Sequence, residues 1–236
     1  MTGADSGGMG GTDPHAGGRM VSAGPPVEDA RLLVIGLHGR GGWPENIVEY
    51  LDGIGLSDAA VLAPAALYNS WWPESFLAPL SRNEPYLSGA LKRVRDLVGE
   101  LQERGIGQER ISLCGFSQGA CLALEAATRL GGRFHSVGAL SGGLLGTREG
   151  GQFATSDLYG FAPKGFVYDT RLDGTPVFIG VHQQDMHIPV ARVRESYDVM
   201  QALGADVEMM VYAGRGHGVT DNANDAMRKL LGVGTR

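Results

Sequence analysis

A serine flanked by glycines is the most chemically distinctive feature of this chain. Residues Gly115–Gly119 read GFSQG, the apolar run Ile111–Cys114 precedes them, and the alanine- and leucine-rich stretch Ala120–Ala127 follows. This pattern predicts a strand, a sharp turn and a helix, with the glycines leaving room where the strand meets the helix. A serine on such a turn is strained and exposes its hydroxyl at the carboxyl edge of a sheet. We therefore interpret Ser117 as a candidate nucleophile for acyl transfer.

Nucleophilic attack by a serine hydroxyl requires an imidazole that accepts its proton and a carboxylate that orients the imidazole. The histidines that follow the serine at sufficient distance along the chain are His182, His187 and His217. His217 lies between a predicted strand and the last predicted helix, in a glycine-rich loop that can place an imidazole over the nucleophile. We predict that His217 is the base, the alternative being an ordinary hydrogen-bonded surface histidine.

The orienting carboxylate is predicted from its position after a strand. Asp185 follows the apolar strand that ends near Val181, whereas the competing carboxylates lie in an irregular stretch, namely Asp157, Asp169 and Asp173. Because loops at the carboxyl ends of parallel strands carry the sites of α/β proteins, we predict that Asp185 orients the imidazole of His217. His187 is predicted to lie at the rim of the site, either as a packing residue or in contact with substrate.

Acyl transfer also needs two backbone N–H groups aimed at the oxyanion of the tetrahedral intermediate. One is expected from Gln118, because this residue follows the nucleophile and begins a helix whose dipole favours negative charge. The other is expected from the glycine-rich loop His38–Gly42, where the backbone can approach a ligand closely. The side chains of Gln118 and Arg40 are assigned no chemical role. His38 is interpreted as a hydrogen-bonded anchor of the loop rather than as a base.

An aromatic segment follows the third predicted strand, on the side of the sheet where the loops meet. It contains Trp71, Trp72 and Phe76. These side chains fit either a hydrophobic core or the apolar wall of a pocket for an acyl or aryl group. We favour the wall for at least one of the two tryptophans, and we name all three, together with His187, as candidate substrate-binding residues.

The elements that position these residues alternate between strands and helices. The predicted strands are Arg19–Ala23, Arg31–Leu37, Ala60–Ala63, Ile111–Cys114, Ser136–Ser141, Pro176–Val181 and Val207–Tyr212. The predicted helices are Glu45–Leu51, Tyr86–Arg104, Ala120–Ala127, Ala191–Leu203 and Asn222–Leu231. This alternation predicts an α/β fold with a mostly parallel sheet and helices on both faces. Residues 142–174 show no clear periodicity and are predicted to form a functional loop or lid.

Composition and charge argue against several classes of partner. The 236 residues carry 20 Lys and Arg against 26 Asp and Glu, a net charge of −6 without a basic run, which argues against nucleic acid or an anionic membrane. An apolar run of about 18 residues that could span a bilayer is missing, and no signal peptide is recognised. We therefore expect a cytoplasmic protein with one domain over residues 13–236, preceded by a disordered glycine-rich tail over residues 1–12.

The two cysteines flank the candidate nucleophile. A disulfide between Cys114 and Cys121 is an alternative, but we expect two small buried thiols. Neither has His or Cys neighbours at ligand spacing, so a zinc site is rejected.

Four motifs, in this order along the chain, together resemble those of the phospholipase/carboxylesterase family of α/β-hydrolases. They are His38–Gly41 (HGRG), Gly115–Gly119 (GFSQG), Asp185 ahead of Ile188-Pro189, and Gly214–His217 (GRGH). The family includes bacterial carboxylesterases and acyl-protein thioesterases, and the resemblance covers about residues 13–232. It implies an α/β-hydrolase fold without a large cap domain, and a reaction that uses no cofactor and no metal.

The resemblance also implies roles for individual residues. Ser117 would be the nucleophile, Asp185 the acid and His217 the base, and the second oxyanion amide would belong to Arg40. Thioesterase members commonly carry leucine at the Arg40 position, so a more polar mouth of the acyl site is expected here. The stretch from about residue 146 to residue 175 is longer than expected of the family, which leaves the preference for acyl-chain length open.

These observations predict a serine carboxylesterase that hydrolyses short- to medium-chain carboxylic esters through an acyl-enzyme. The nearest alternative is an acyl-protein thioesterase or lysophospholipase that acts on long acyl chains. A non-catalytic ligand-binding protein on the same fold is disfavoured because every catalytic position is filled. A dienelactone hydrolase is disfavoured because those enzymes use cysteine as nucleophile. The expected partner is a small-molecule ester, and the sequence leaves a homodimer open.

Overall fold

Seven strands build the central sheet in a computed structural model that describes residues 13–234. The strands in chain order are β1 (Met20–Ala23), β2 (Leu32–Leu37), β3 (Ala59–Pro64), β4 (Ile111–Phe116), β5 (Ser136–Leu140), β6 (Arg148–Glu149), β7 (Lys164–Gly165), β8 (Pro176–Gln184) and β9 (Asp206–Arg215). The order across the sheet is β1-β3-β2-β4-β5-β8-β9, and every neighbouring pair is parallel except β1 and β3. β6 and β7 form a separate antiparallel pair. The predicted disordered tail over residues 1–12 lies outside the described residues.

Helices cover both faces of the sheet. They are α1 (Pro44–Gly53), α2 (Tyr86–Glu103), α3 (Gln118–Leu130), α4 (Val190–Ala202) and α5 (Asp221–Leu231). Leu33 of β2 faces the core shared with α2, α3 and α4, whereas its neighbours Leu32 and Val34 face the core shared with α1 and α5. The predicted sheet with helices on both faces is therefore confirmed. Across residues 13–234, no helix is both long and apolar enough to cross a bilayer.

The strands that extend furthest beyond the apolar runs that predicted them are β8 and β9. All six residues of β2 are buried, as expected for a parallel strand covered on both faces. By contrast, β8 continues to Gln184 and β9 to Arg215, although the predicted ends were Val181 and Tyr212. The added residues are mostly exposed, so ladder hydrogen bonds rather than apolar burial extend these strands. This extension leads the chain out to the loops that carry Asp185 and His217.

Residues 146–175, which we call the insert, form an irregular strap rather than a separate cap. The insert contains β6, β7 and a single short 3-10 turn at Thr155–Leu158. Tyr168 Oη donates to both carboxylate oxygens of Glu125 on α3, at 3.0 and 3.1 Å. Lys164 Nζ donates to the carbonyl oxygen of Ala78 at 2.5 Å. These buried polar contacts tie the strap to the body of the fold.

Both cysteines carry free thiols, so the alternative of a disulfide between them is wrong. Cys114 lies on β4 and Cys121 on α3, and both are buried. Burial raises the pKa of each thiol to about 12, so both thiols stay protonated at neutral pH. The predicted pair of buried thiols is confirmed.

The first turn of α3 crosses β2 and β4 at very short range. A Cβ atom at position 119 would lie 2.0 Å from the carbonyl oxygen of Leu37, and one at position 115 would lie 2.3 Å from the backbone of Gly119. No side chain can be accommodated at such distances. Gly115 and Gly119 are therefore required because the backbone passes so close to them, and not because of an unusual backbone conformation. The predicted need for glycine on each side of the serine is confirmed.

Substitution Gly119→Ala is expected to lower the free energy of unfolding by about 3 kcal/mol or more, because the new methyl group clashes with backbone rather than with a movable side chain. The matched control is Gly99→Ala, where nothing lies within 4 Å of the added Cβ on α2. The control should raise stability by about 0.5–1 kcal/mol, because alanine favours a helix interior. Urea unfolding measures both values, and equal effects of the two substitutions would refute the packing argument.

Candidate active site

Ser117 occupies the turn between β4 and α3, with φ 53° and ψ −116°. A positive φ is rare for a residue other than glycine and marks a strained position. The N–H of Ser117 donates to the carbonyl oxygen of Leu140 at the end of β5, at 2.8 Å, and this bond fixes the turn against the neighbouring strand. The turn is the strained one that the GFSQG segment predicts.

Three side chains from separate loops meet at this turn. His217 Nε2 lies 2.8 Å from Ser117 Oγ, and His217 Nδ1 lies 2.8 Å from Asp185 Oδ2 and 3.0 Å from Oδ1. This geometry fits an imidazole whose Nδ1–H donates to the carboxylate and whose Nε2 accepts from the hydroxyl. The structure therefore brings together the three residues predicted from the sequence, although the serine and the histidine are 100 residues apart.

The carboxylate of Asp185 is buried and fully engaged. Besides the imidazole, its Oδ1 accepts from the N–H groups of His187 at 2.9 Å and of Ile188 at 3.0 Å. Burial alone would raise the pKa of this carboxyl, but the hydrogen bonds from His217 and the two amides outweigh it, and the pKa lies below its ordinary value. Asp185 is therefore a carboxylate at neutral pH and can hold the imidazole in one orientation.

The competing carboxylates of the sequence lie elsewhere. Asp157, Asp169 and Asp173 are all exposed on the insert. His217 Nδ1 is already engaged by both oxygens of Asp185. The carboxylate predicted from its position directly after a strand, Asp185, is therefore the one that contacts the imidazole.

The loop His38–Gly42 follows β2 and is anchored by its first residue. His38 Nδ1 donates to the carbonyl oxygen of Gly39 at 2.8 Å, and its Nε2 accepts from the N–H of Ala66 at 3.1 Å. Burial lowers the pKa of His38, which favours the neutral ring that these two bonds require. The predicted anchoring role is confirmed, and this histidine has no bond to Ser117 among the described residues.

Both residues predicted to supply oxyanion amides border the space in front of Ser117. Gln118 begins α3, so its N–H has no acceptor within the helix and is available to a ligand. Arg40 belongs to the loop that faces this helix end, and both residues line the same cavity. The use of these two amides as oxyanion donors stays a prediction.

A cavity of about 710 Å³ opens in front of the serine. Trp72, Phe76 and His187 line it, and their contact with a substrate stays a prediction. The imidazole of His187 packs edge-on against that of His217, with 4.8 Å between ring centroids. The cavity therefore offers apolar walls beside the hydroxyl and a polar ring at its rim.

Trp71 does not line the cavity, which corrects its prediction as a substrate-binding residue. Its side chain is completely buried, and its Nε1–H donates to the carbonyl oxygen of His38 at 2.9 Å. The indole also packs on the imidazole of His38, with 5.1 Å between ring centroids. Trp71 is a core residue that supports the loop, because satisfying its buried N–H turns the ring away from the cavity.

Comparison with known proteins identifies the family. Residues 25–232 match the profile of the Phospholipase/Carboxylesterase family, which is most of the chain. The chain belongs to the phospholipase/carboxylesterase family. It is therefore a member of a hydrolase family with the α/β-hydrolase fold, as the four sequence motifs predict.

Several known proteins are similar to this chain. A phospholipase/carboxylesterase from Dyadobacter fermentans DSM 18053 is 35% identical with a TM-score of 0.78, covering 91% of this chain and 96% of that one. The Bacillus cereus carboxylesterase is 20% identical with a TM-score of 0.66, covering 92% and 94%, and shows the same fold. An acyl-protein thioesterase 1 from Gibberella zeae is 28% identical over 140 residues, covering 59% of this chain and 54% of that protein. The chain thus matches only about half the length of that relative.

Two residues that line the cavity of this phospholipase/carboxylesterase family member were not predicted from the sequence. They are Tyr159 and Phe161 of the insert. Tyr159 has a φ of 55° and its Oη donates to the backbone carbonyl oxygen of Asp185. The insert lacks periodicity, so the only signal for these residues was their aromatic type in a stretch predicted to be a functional loop or lid.

The lowered pKa of Asp185 predicts a pH-dependent contribution to stability. Because the folded pKa lies below the unfolded value of about 3.9, the carboxylate stabilises the fold above that pH, and this stabilisation is lost as the pH falls through the folded pKa. We expect the wild-type protein to exceed Asp185→Asn in free energy of unfolding at pH 7, with a difference that shrinks below about pH 4. Urea unfolding of both proteins from pH 7 to pH 3 measures this difference. A difference in free energy of unfolding that grows toward low pH would contradict the prediction.

Proposed function

We propose that the chain is a serine carboxylesterase that hydrolyses short- to medium-chain carboxylic esters. The observation that carries this proposal is the continuous hydrogen-bonded row from Asp185 through His217 to Ser117, with the hydroxyl at the cavity. A serine in such a row is activated because the imidazole can take its proton while the carboxylate stabilises the resulting imidazolium. Membership of the phospholipase/carboxylesterase family supports the same chemistry.

The proposed reaction runs in two halves. Ser117 Oγ attacks the ester carbonyl carbon while His217 Nε2 takes the hydroxyl proton, and the oxyanion accepts hydrogen bonds from the amides of Arg40 and Gln118. The C–O bond to the alcohol then breaks, His217 returns the proton to the departing oxygen, and an acyl-enzyme remains. Water, deprotonated by the same imidazole, hydrolyses that ester and restores the serine. A hydroxyl, an imidazole, a carboxylate and two amides suffice for these steps, so no cofactor is proposed.

The cavity supports a substrate of modest size with an apolar acyl or aryl group. Trp72, Phe76 and Phe161 supply aromatic wall, and such a wall gains free energy by excluding water from an apolar group. His187 lies beside His217, which protonates the leaving oxygen, so we propose that His187 contacts the alcohol portion of the substrate.

A thioesterase or lysophospholipase that acts on long acyl chains is the second candidate. The similarity to an acyl-protein thioesterase from Gibberella zeae favours it. A non-catalytic binding protein is disfavoured, because the hydroxyl, imidazole and carboxylate are all present and hydrogen-bonded to one another.

Substitution Ser117→Ala is expected to lower kcat for p-nitrophenyl butyrate by about 10⁵-fold or more while leaving the fold intact, because the attacking oxygen is removed. Asp185→Asn should lower kcat by about 10⁴-fold, because the amide favours the wrong imidazole tautomer. Ser88→Ala, at an exposed serine of α2, is the matched control and should leave kcat unchanged. Retained turnover in Ser117→Ala would defeat the proposal, as would failure of the wild-type protein to react with a fluorophosphonate probe.

A series of p-nitrophenyl esters from acetate to palmitate, with matching thioesters, distinguishes the two hydrolase candidates. The proposed preference for short- to medium-chain esters predicts that kcat/KM peaks at or below about eight carbons. An optimum above about ten carbons, or a marked preference for thioesters, would support the thioesterase or lysophospholipase instead.

A further inference from the structure

One short segment is held by the side chains of both residues whose amides are proposed to bind the oxyanion. This segment is Ser70–Glu74, which we call the bridging segment. It follows β3 and contributes Trp72, Pro73 and Glu74 to the lining of the cavity. Arg40 reaches it from the loop after β2, and Gln118 reaches it from the start of α3.

Gln118 holds the middle of the bridging segment from a nearly buried position, with an exposed fraction of 6%. Its Oε1 accepts from the N–H of Trp71 at 2.9 Å, and its Nε2 donates to the carbonyl oxygen of Trp72 at 2.8 Å. The side-chain amide therefore pairs with backbone groups in the way that a neighbouring strand would. A buried amide with both of its polar groups matched in this way has little freedom to move.

Arg40 holds both ends of the bridging segment. Its Nη1 donates to Ser70 Oγ at 3.1 Å and to the carbonyl oxygen of Pro73 at 2.7 Å, and its Nη2 donates to the carbonyl oxygen of Glu74 at 2.5 Å. All three acceptors are neutral, since one is a hydroxyl and two are backbone carbonyl groups. The carboxylate of Glu74 is paired with Arg82 instead, at 2.8 Å. The planar guanidinium thus serves as a multidentate clamp on backbone rather than as one half of an ion pair.

Two further hydrogen bonds link the loop after β2 to the bridging segment and to the residue that precedes it. Trp71 Nε1–H donates to the carbonyl oxygen of His38, and the N–H of Gly41 donates to the carbonyl oxygen of Asn69 at 2.7 Å. Ser70 Oγ also donates to the carbonyl oxygen of Trp72 at 2.7 Å, which closes the segment on itself. The loop after β2 and the start of α3 are therefore joined through one rigid element.

We propose that the bridging segment sets the separation of the two oxyanion amides, and that the side chains of Gln118 and Arg40 are positioning residues for the reaction. This inference rests on the proposed function. The amides stabilise the transition state only where the oxyanion forms, and a misplacement of about 1 Å can cost about a hundredfold in rate. A clamp on each amide-bearing residue provides that precision, because neither loop can shift without breaking bonds to the same segment.

The test uses Gln118→Met and Arg40→Met, which keep both backbone N–H groups and remove only the side-chain clamps. We expect each to lower kcat about ten- to a hundredfold, with KM changed by less than about threefold, because the loss falls on the transition state. The affinity for a trifluoromethyl ketone, which forms a tetrahedral adduct with the serine, should fall by the same factor as kcat/KM. Ser70→Ala, which removes one acceptor of Arg40, should give a smaller loss of the same kind and carries the test if a methionine variant does not fold.

Two matched controls lie at the opposite end of the strands. Gln108 Nε2 donates to the carbonyl oxygen of Gly131 at 2.6 Å, and Arg133 Nη1 donates to the carbonyl oxygens of Asp173 and Gly174 at 3.0 and 3.1 Å. Gln108→Met and Arg133→Met should lower the melting temperature but leave kcat and ketone affinity unchanged.

Two results would overturn the inference: wild-type kcat in both Gln118→Met and Arg40→Met, or a loss of kcat without a parallel loss of ketone affinity. The Ser117→Ala variant separates this failure from that of the proposed function. An inactive Ser117→Ala beside fully active clamp variants refutes the positioning role alone, whereas an active Ser117→Ala refutes the proposed function itself.

Discussion

The contact between the first turn of α3 and the end of β2 is the constraint on which the rest of the site depends. Gly119 lies so close to the carbonyl oxygen of Leu37 that a Cβ atom would be 2.0 Å from it. This approach brings the start of the helix, the strained turn of Ser117 and the loop after β2 to one point. Under the proposed function, an oxyanion at that point would meet N–H groups from both sides together with the positive end of a helix dipole. A wider crossing would leave the serine in place but separate it from the loop.

The imidazole and the carboxylate are brought to this point by the extension of two strands. β8 and β9 continue beyond their apolar runs as an exposed ladder, and the loops that follow carry Asp185 and His217. Burial of the aspartate would favour its neutral form, but two backbone amides and the imidazole stabilise the charge. The same hydrogen bonds to Asp185 therefore fix the geometry of the row and keep its carboxylate ionised.

The sequence predicts the elements, and the residues that meet at the candidate site, well, because both leave local patterns. Apolar runs and helical spacing locate the strands and helices, and the GFSQG turn locates the serine. The sequence could not predict which tryptophan lines the cavity and which lies in the core, because Trp71 and Trp72 are adjacent and equally apolar. Their orientation depends on a backbone with positive φ at Tyr68 and Asn69, and on a distant carbonyl acceptor at His38. The hydrogen bonds made by the side chains of Gln118 and Arg40 could not be predicted either, because their partners lie in the bridging segment, far from both residues in sequence.

The site combines a rigid half with a half that is attached more sparsely. On the oxyanion side, the bridging segment is bonded to both neighbouring loops, and the guanidinium of Arg40 is directed at its carbonyl oxygens. The side chain of Arg40 is exposed and lines the cavity, although its guanidinium donates to acceptors within the protein. In the other half, the insert places Tyr159 and Phe161 at the cavity, and among the described residues their side chains make one hydrogen bond, from Tyr159 to the backbone of Asp185. Transition-state stabilisation demands fixed donors, whereas binding of an apolar group tolerates adjustment. Under the proposed function, this division assigns the fixed donors to the side of the bridging segment and leaves contact with the apolar group to the side of the insert.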